Sequence, residues 1–174
     1  MTKIDFKAGF SRVDITPPLG VPMAGYTFLR KASAVLDRLE LNALAVSDGR
    51  RTTVLMAADL LDLQDCDYAD ELRRRIAVAA EVPVEAVYFH CTHTHLSPAT
   101  GRADPNGETS FDGDAAYCEQ LAAKACEAAK MAIGDLAPAN ISIGRAEAKR
   151  ISFIRRFRMK DGTIRTNRHT RNGQ

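Results

Sequence analysis

Two apolar runs separated by one amphipathic segment constrain the fold of this chain more than any other feature. The run TTVLMAADL at 52–60 is almost uninterrupted, and EAVYFHCT at 85–92 is the second. Between them, apolar residues recur at four-residue spacing: Tyr68, Leu72, Ile76 and Ala80. This pattern predicts a helix from about 66 to 80 between two strands. Strand, helix, strand is a βαβ unit, so the two strands are expected to be parallel, and the first to be buried on both faces.

The remaining segments predict a mixed sheet with helices packed on it. LELNALAVS at 39–47 alternates as a strand does and is followed by the turn residues DGRR. A long alanine-rich helix is predicted from about 115 to 133, capped by Asp114 and ended by Gly134. We therefore predict an α/β fold with a parallel βαβ core, as an incomplete, N-terminal part of a larger domain.

The C-terminal third predicts more strands and a basic end. ANISIGRAEA at 139–148 and ISFIRRFRM at 151–159 are interpreted as strands, and Asp161-Gly162 as a tight hairpin turn. Clustered Lys and Arg with interleaved Phe would also suit the phosphates and bases of a nucleic acid. The alternation of apolar and charged residues in this segment instead favours a strand with one solvated face. No nucleic-acid partner is therefore predicted. The domain is placed at 1–165, with a polar, basic tail at 166–174.

Composition is ordinary for a globular protein. The 174 residues are 45% hydrophobic and 26% charged, which argues against disorder. No apolar run approaches the roughly 20 residues that span a bilayer, and the first residues do not form a signal peptide. The four cysteines lack a metal-binding or disulfide-framework spacing, so we expect a cytoplasmic protein with reduced thiols.

Three of the four histidines lie within six residues of VYFHCTHTHLSP at 87–98, at the end of the second predicted parallel strand. Ligands of open α/β sheets bind at the carboxyl ends of the strands. His93 and His95 are two apart, so in an extended segment their side chains leave one face. They can bind a metal together, or one can bind while the other contacts substrate. His90 has the opposite parity and is expected to point into the core.

Asp59 ends the neighbouring parallel strand and is expected at the same edge of the sheet. A carboxylate beside a histidine pair is typical of a metal site or of the residues that orient its ligands. Capping of the following helix is the structural alternative.

Four segments, in order, resemble the neutral/alkaline (non-lysosomal) ceramidases. HTHLSP resembles the THTHSGP signature of that family, and the opening DITPPLGVPMAGY resembles its DITGP…MMGY segment. The strand that ends in Asp59 resembles NTDLG, and ISFIRRF resembles ASRNRS, with Arg155 on the arginine. Leu96, Ser97 and Ile154 depart from the family pattern.

The resemblance implies a zinc-dependent hydrolase of N-acyl amides such as ceramide, a lipid substrate of sphingolipid metabolism. It implies that His93 is a zinc ligand and that His95 and Arg155 contact the scissile group. The family's later ligands, a second His, a Glu and a Tyr, have no match here, so the resemblance implies the first part of a catalytic domain. The alternative is a non-catalytic remnant or binding module of the same fold. An unpaired edge and an exposed apolar face would favour self-association.

Overall fold

The structure is a computed structural model of the chain. It describes residues 6–26, 30–63, 66–100, 113–149, 151, 154 and 156–166. These residues belong to two compact units, Met1–Asn140 and Ile141–Gln174. Within the described ranges, neither helix has the length and apolar character needed to cross a bilayer.

The first unit contains most of the regular structure. Its strands are β1 (Lys7–Asp14), β2 (Pro22–Met23), β3 (Arg30–Lys31), β4 (Glu40–Ser47), β5 (Thr52–Ala58), β6 (Val87–Cys91) and β7 (Ala137–Pro138). Its helices are α1 (Cys66–Ala80) and α2 (Ala115–Gly134), and a 3₁₀ turn spans Val84–Ala86. Five strands form one sheet in the order β6-β5-β4-β1-β7, while β2 and β3 pair separately.

The predicted βαβ unit is confirmed. Strands β5 and β6 pair in parallel, from Val54 opposite Val87 to Ala58 opposite Cys91, and α1 connects them. Strand β4 is antiparallel to both of its neighbours, β1 and β5, so the sheet is mixed, as predicted. The predicted cap of α2 is also present, since the Asp114 carboxylate accepts a hydrogen bond from the backbone N–H of Tyr117 at 2.8 Å. The strand patterns, the helix pattern and the cap could each be predicted because each depends on residues close together in the sequence.

Both helices contribute to the apolar core of the first unit. Its members include alternate residues of the central strands and the alanine stripe of α2: Leu41, Ala43, Val54, Met56, Ala125, Ala128 and Ala132. Small side chains let α2 lie close to the sheet. The approach is close at Gly9 of β1, where a Cβ atom would stand 2.1 Å from the carbonyl oxygen of Ala132. Only glycine fits at this position.

The prediction that β5 is buried on both faces is wrong for the described residues. Val54 and Met56 point into the core, but Leu55 between them is 41% exposed. Its neighbours across the sheet in the same row are Phe10, Leu44 and Tyr88. Phe10 and Tyr88 are exposed as well. The apolar run therefore faces the helices on one side and forms an open apolar row on the other.

His90 does not point into the core, which corrects its predicted orientation. It is exposed and lies opposite Ala57, in the row next to the open apolar one. On β6 the buried residue is Val87, so the residues of its parity face the helices and those of His90's parity face away. His90 does lie on the opposite face of β6 from the core residues, as its parity requires, but the described helices cover the face of Val87 and not that of His90.

The second unit contains a short hairpin of β8 (Arg156–Arg158) and β9 (Ile164–Thr166). Its predicted turn is confirmed: Gly162 has a φ of 80°, and the Asp161 carboxylate accepts from Thr163 N–H at 2.9 Å. The predicted strand at 139–148 is wrong, because the described residues 141–148 pair with no strand and are exposed. A strand requires a neighbour for its backbone hydrogen bonds. The boundary at 165/166 stays a prediction.

Candidate functional site

The histidine segment continues from β6 across the end of β5. Beyond Cys91, Thr92 N–H donates to Ala58 O and Thr94 N–H donates to Leu60 O, each at 3.0 Å. Between these two contacts His93 adopts a φ of 61°, in the left-handed region. This conformation costs an L-residue about 1–2 kcal/mol. The hydrogen bonds on both sides hold the strained residue in place, which is typical of functional positions.

His93 and His95 lie together, as predicted. Their ring centroids are 5.3 Å apart and their planes meet at 78°. The turn at His93, rather than an extended strand, brings the two rings together. His93 Nδ1 lies 3.2 Å from Leu61 O. A carbonyl oxygen only accepts, so this contact requires a proton on Nδ1, and in the neutral imidazole the lone pair is then on Nε2. Metal-binding histidines are oriented in this way.

The opening segment of the chain packs directly against His95. A Cβ atom on Gly25, which has a φ of 101°, would lie 2.9 Å from both Cγ and Nδ1 of His95. The Tyr26 ring contacts the His95 ring edge-on, with the two ring centroids 5.7 Å apart. Backbone hydrogen bonds from Ala24 N–H to Ser97 O and from Leu96 N–H to Ala24 O connect the two segments. Gly25 therefore fixes the distance between the opening segment and the His95 imidazole.

Both carboxylate oxygens of Asp59 are used within the fold. One accepts from the backbone N–H of Glu40 at 3.0 Å, and the other accepts from Thr92 Oγ1 at 3.2 Å. These contacts tie the start of β4 to the loop that carries the histidines. Asp59 therefore acts here as a positioning residue for Thr92, and the cap of α2 is Asp114.

Two buried hydroxyls hold the site and were not identified from the sequence. Ser97 is fully buried, and its Oγ accepts from Leu61 N–H at 2.8 Å. Thr100 Oγ1 donates to Asp62 O at 2.9 Å. Both bonds join the histidine loop to the chain that follows β5. The sequence signal was a Ser and a Thr within five residues after His95, which indicates a loop but not its hydrogen-bond partners.

The described side chains near His93 can be compared with the ligands that a zinc ion requires. His93 offers one oriented imidazole nitrogen, and His95 lies beside it. Burial raises the pKa of the Cys91 thiol to about 11, so without a metal this sulfur stays protonated at neutral pH. No group of three His, Cys, Asp or Glu side chains that could hold a metal occurs among the described residues. These residues alone do not form a zinc site, and Arg155 lies outside them.

Replacing Gly25 by alanine is expected to displace the His95 ring. Gly20 supplies a matched control, because its φ is also positive, at 91°, but a Cβ there meets no atom within 4 Å. Both substitutions carry the same backbone strain, about 1–2 kcal/mol. Only Gly25→Ala should shift the ring-proton NMR signals of His95 and destabilise the protein further. Equal effects of the two variants on those signals would contradict the contact.

Two solved structures are similar to this chain. One is a neutral ceramidase from Pseudomonas aeruginosa, and the other is a ceramidase complexed with C2. For each, the TM-score is 0.64 and the sequence identity 22% over 78% of this chain. The chain spans 22% of the length of each of those structures. No protein-family model and no curated protein matches the sequence. The chain thus has the fold of part of a neutral ceramidase.

Proposed function

We propose that this chain provides part of the active site of a zinc-dependent amidohydrolase that cleaves an N-acyl amide, as in ceramide. The observation that carries the proposal is the contact between His93 Nδ1 and Leu61 O, because a neutral imidazole that donates from Nδ1 can bind a metal through Nε2, here beside the His95 ring. The ceramidase-like fold supports the same reaction class. His93 is one ligand in this proposal, and further ligands come from outside the described residues.

His95 and Arg155 have the roles of substrate-contacting residues in this proposal. A neutral imidazole at His95 can accept a proton and deliver it to the departing amine. The His95 ring packs against Gly25 and Tyr26, and these contacts keep its ring nitrogens in a fixed position. An arginine fork suits the developing oxyanion of amide cleavage, and Arg155 is assigned to it on the resemblance of its segment alone.

A binding module that retains the fold without hydrolysis is the second candidate. The observation that favours it is that the described residues bring together two imidazoles without a third ligand. Such a module would bind an N-acyl amide beside His95 and release it unchanged. The two candidates differ in whether metal contacts His93.

The proposal is tested by the response of the histidines to zinc. His93→Ala should remove the zinc-induced shifts of the histidine ring signals in NMR spectra, since it deletes the oriented ligand. His90→Ala is the matched control, because His90 is exposed, lies on the same strand end and points to the open face. Its removal should leave the shifts of His93 and His95 unchanged. Zinc shifts that persist in His93→Ala would favour the binding module.

A further inference from the structure

Thr92 and Thr94 lie on either side of His93, and their hydroxyl groups contact each other. The two Oγ1 atoms are 2.7 Å apart. The Thr92 hydroxyl also lies 3.2 Å from Asp59 Oδ1 and 3.3 Å from Ala58 O. A continuous chain of polar contacts therefore runs from Thr94 through Thr92 to the end of β5.

The direction of these hydrogen bonds follows from the chemistry of the acceptors. A backbone carbonyl oxygen and an ionised carboxylate accept hydrogen bonds and donate none. The single proton of the Thr92 hydroxyl must therefore point to Asp59 or to Ala58 O. Thr92 can then only accept in its contact with Thr94, so Thr94 is the donor. Both hydroxyls thus donate toward the end of β5.

The acceptor end of this chain is anchored in the sheet. Asp59 N–H donates to Glu40 O at 2.9 Å, and Glu40 N–H donates to Asp59 Oδ2 at 3.0 Å. The other carboxylate oxygen, Oδ1, is the one that contacts Thr92. Because the first residue of β4 holds Asp59 at both its N–H and its carboxylate, the Thr92 and Thr94 hydroxyls are tied to the sheet and not only to each other.

The contact between the two hydroxyls depends on the backbone turn at His93. The φ of His93 is 61°, which is uncommon for a residue that has a Cβ atom. In an extended strand, residues two positions apart are separated by roughly 6.5 Å, so their hydroxyls do not come within 2.7 Å of each other. The turn shortens this separation, and the Thr92–Thr94 hydrogen bond in turn favours the left-handed conformation over the extended one.

We propose that Thr94 is a positioning residue for His93: by its hydrogen bond to Thr92 it holds the turn that places His93 Nδ1 on Leu61 O. Without that bond His93 relaxes toward an extended backbone, and its Nδ1–H loses the acceptor. A neutral imidazole in water carries its proton mainly on Nε2, so the released ring changes tautomer. The inference rests on the proposed function only for the use of Nε2 by a metal.

The test replaces Thr94 by valine, which has the shape of threonine without the hydroxyl, and by serine, which keeps the hydroxyl. The tautomer of His93 is read from the nitrogen chemical shifts of its ring in the metal-free 174-residue chain, at an alkaline pH where imidazoles are neutral. We expect the Nδ1–H form in the unmodified protein and in Thr94→Ser. Thr94→Val should lose most of that form. An unchanged tautomer in Thr94→Val would overturn the proposal.

Thr52→Val is the matched control. Thr52 begins β5, at the end of the strand away from the histidine loop, and its hydroxyl donates to Ser47 Oγ at 3.2 Å. This variant removes the same kind of hydrogen bond between side chains and should leave the His93 tautomer unchanged. An equal change in the control would mean that the ring responds to general loosening of the fold, and the proposal would be wrong.

Thr92→Val tests whether the two hydroxyls act as one chain. It removes the contact with Thr94 from the other side, so it should change the His93 tautomer as Thr94→Val does. A bond cannot be lost twice, so the Thr92→Val/Thr94→Val double variant should have the melting temperature of Thr92→Val alone. Additive losses of the two single variants would show that the hydroxyls act separately, against the proposal.

Zinc titration of the same proteins separates this inference from the proposed function. A tautomer change in Thr94→Val, with no zinc-induced shift at His93 in any of the proteins, would support Thr94 as a positioning residue and reject the metal ligand. Zinc-induced shifts at His93 in the unmodified protein and in Thr94→Val alike, with the tautomer unchanged, would reject the positioning role alone.

Discussion

Gly9→Ala is expected to destabilise the first unit by about 3 kcal/mol or more. The added Cβ would stand 2.1 Å from Ala132 O in the last turn of α2 and 2.7 Å from Leu136 N just after the helix, and both are backbone atoms. Backbone cannot rotate away as a side chain does, so the helix must move off β1. For a chain of this size the melting temperature should fall by roughly 6–12 °C.

Gly134→Ala is the control for this substitution. Gly134 ends the same helix, and a Cβ there meets no atom within 4 Å. Alanine is the better helix former, so this variant should match or slightly exceed the stability of the unmodified protein. Thermal unfolding followed by circular dichroism compares the two. If the Gly9→Ala protein had the same melting temperature as the Gly134→Ala control, α2 would not lie against β1 as described.

The sequence predicted the βαβ unit and the long helix, but not the missing strand at 139–148 or which faces of the sheet the helices cover. The helix α1 and the cap at Asp114 followed from periodicity and one side chain, and both are present. An apolar run such as 52–60 does not indicate whether both faces of the strand are covered, because the covering elements lie far along the chain. Leu55 and His90 were misplaced for this one reason.

The site shows the same division between local and distant information. That His93 and His95 lie close together was predictable from their spacing, although the turn at His93 that brings their rings together was not. The contacts of Ser97 and of Gly25 connect residues dozens of positions apart. No local pattern specifies such contacts. Arg155 and the tail at 166–174 stay predictions.

The open apolar row across the sheet gives the predicted self-association a physical basis. Phe10, Leu44, Leu55 and Tyr88 lie side by side on four strands, and three of them are substantially exposed. Contiguous exposed apolar surface favours association. The two ceramidase structures are several times longer than this chain, which spans 22% of each. Self-association stays a prediction, since no described residue reports on a partner.

The last expected result is that the 174-residue chain binds zinc weakly and turns over no N-acyl amide. A catalytic zinc usually has three protein ligands and a water, and the described residues bring together two imidazoles. Complete structural sites supply about 10–16 kcal/mol, whereas a Kd of 1 µM corresponds to about 8 kcal/mol. Because the described residues bring together two imidazoles and no third ligand, we expect a Kd above about 1 µM, measured by calorimetric titration. Amide hydrolysis is assayed in parallel on the zinc-loaded chain. Stoichiometric submicromolar binding with turnover would contradict this expectation, and it would mean that residues outside the described ranges complete the site around His93.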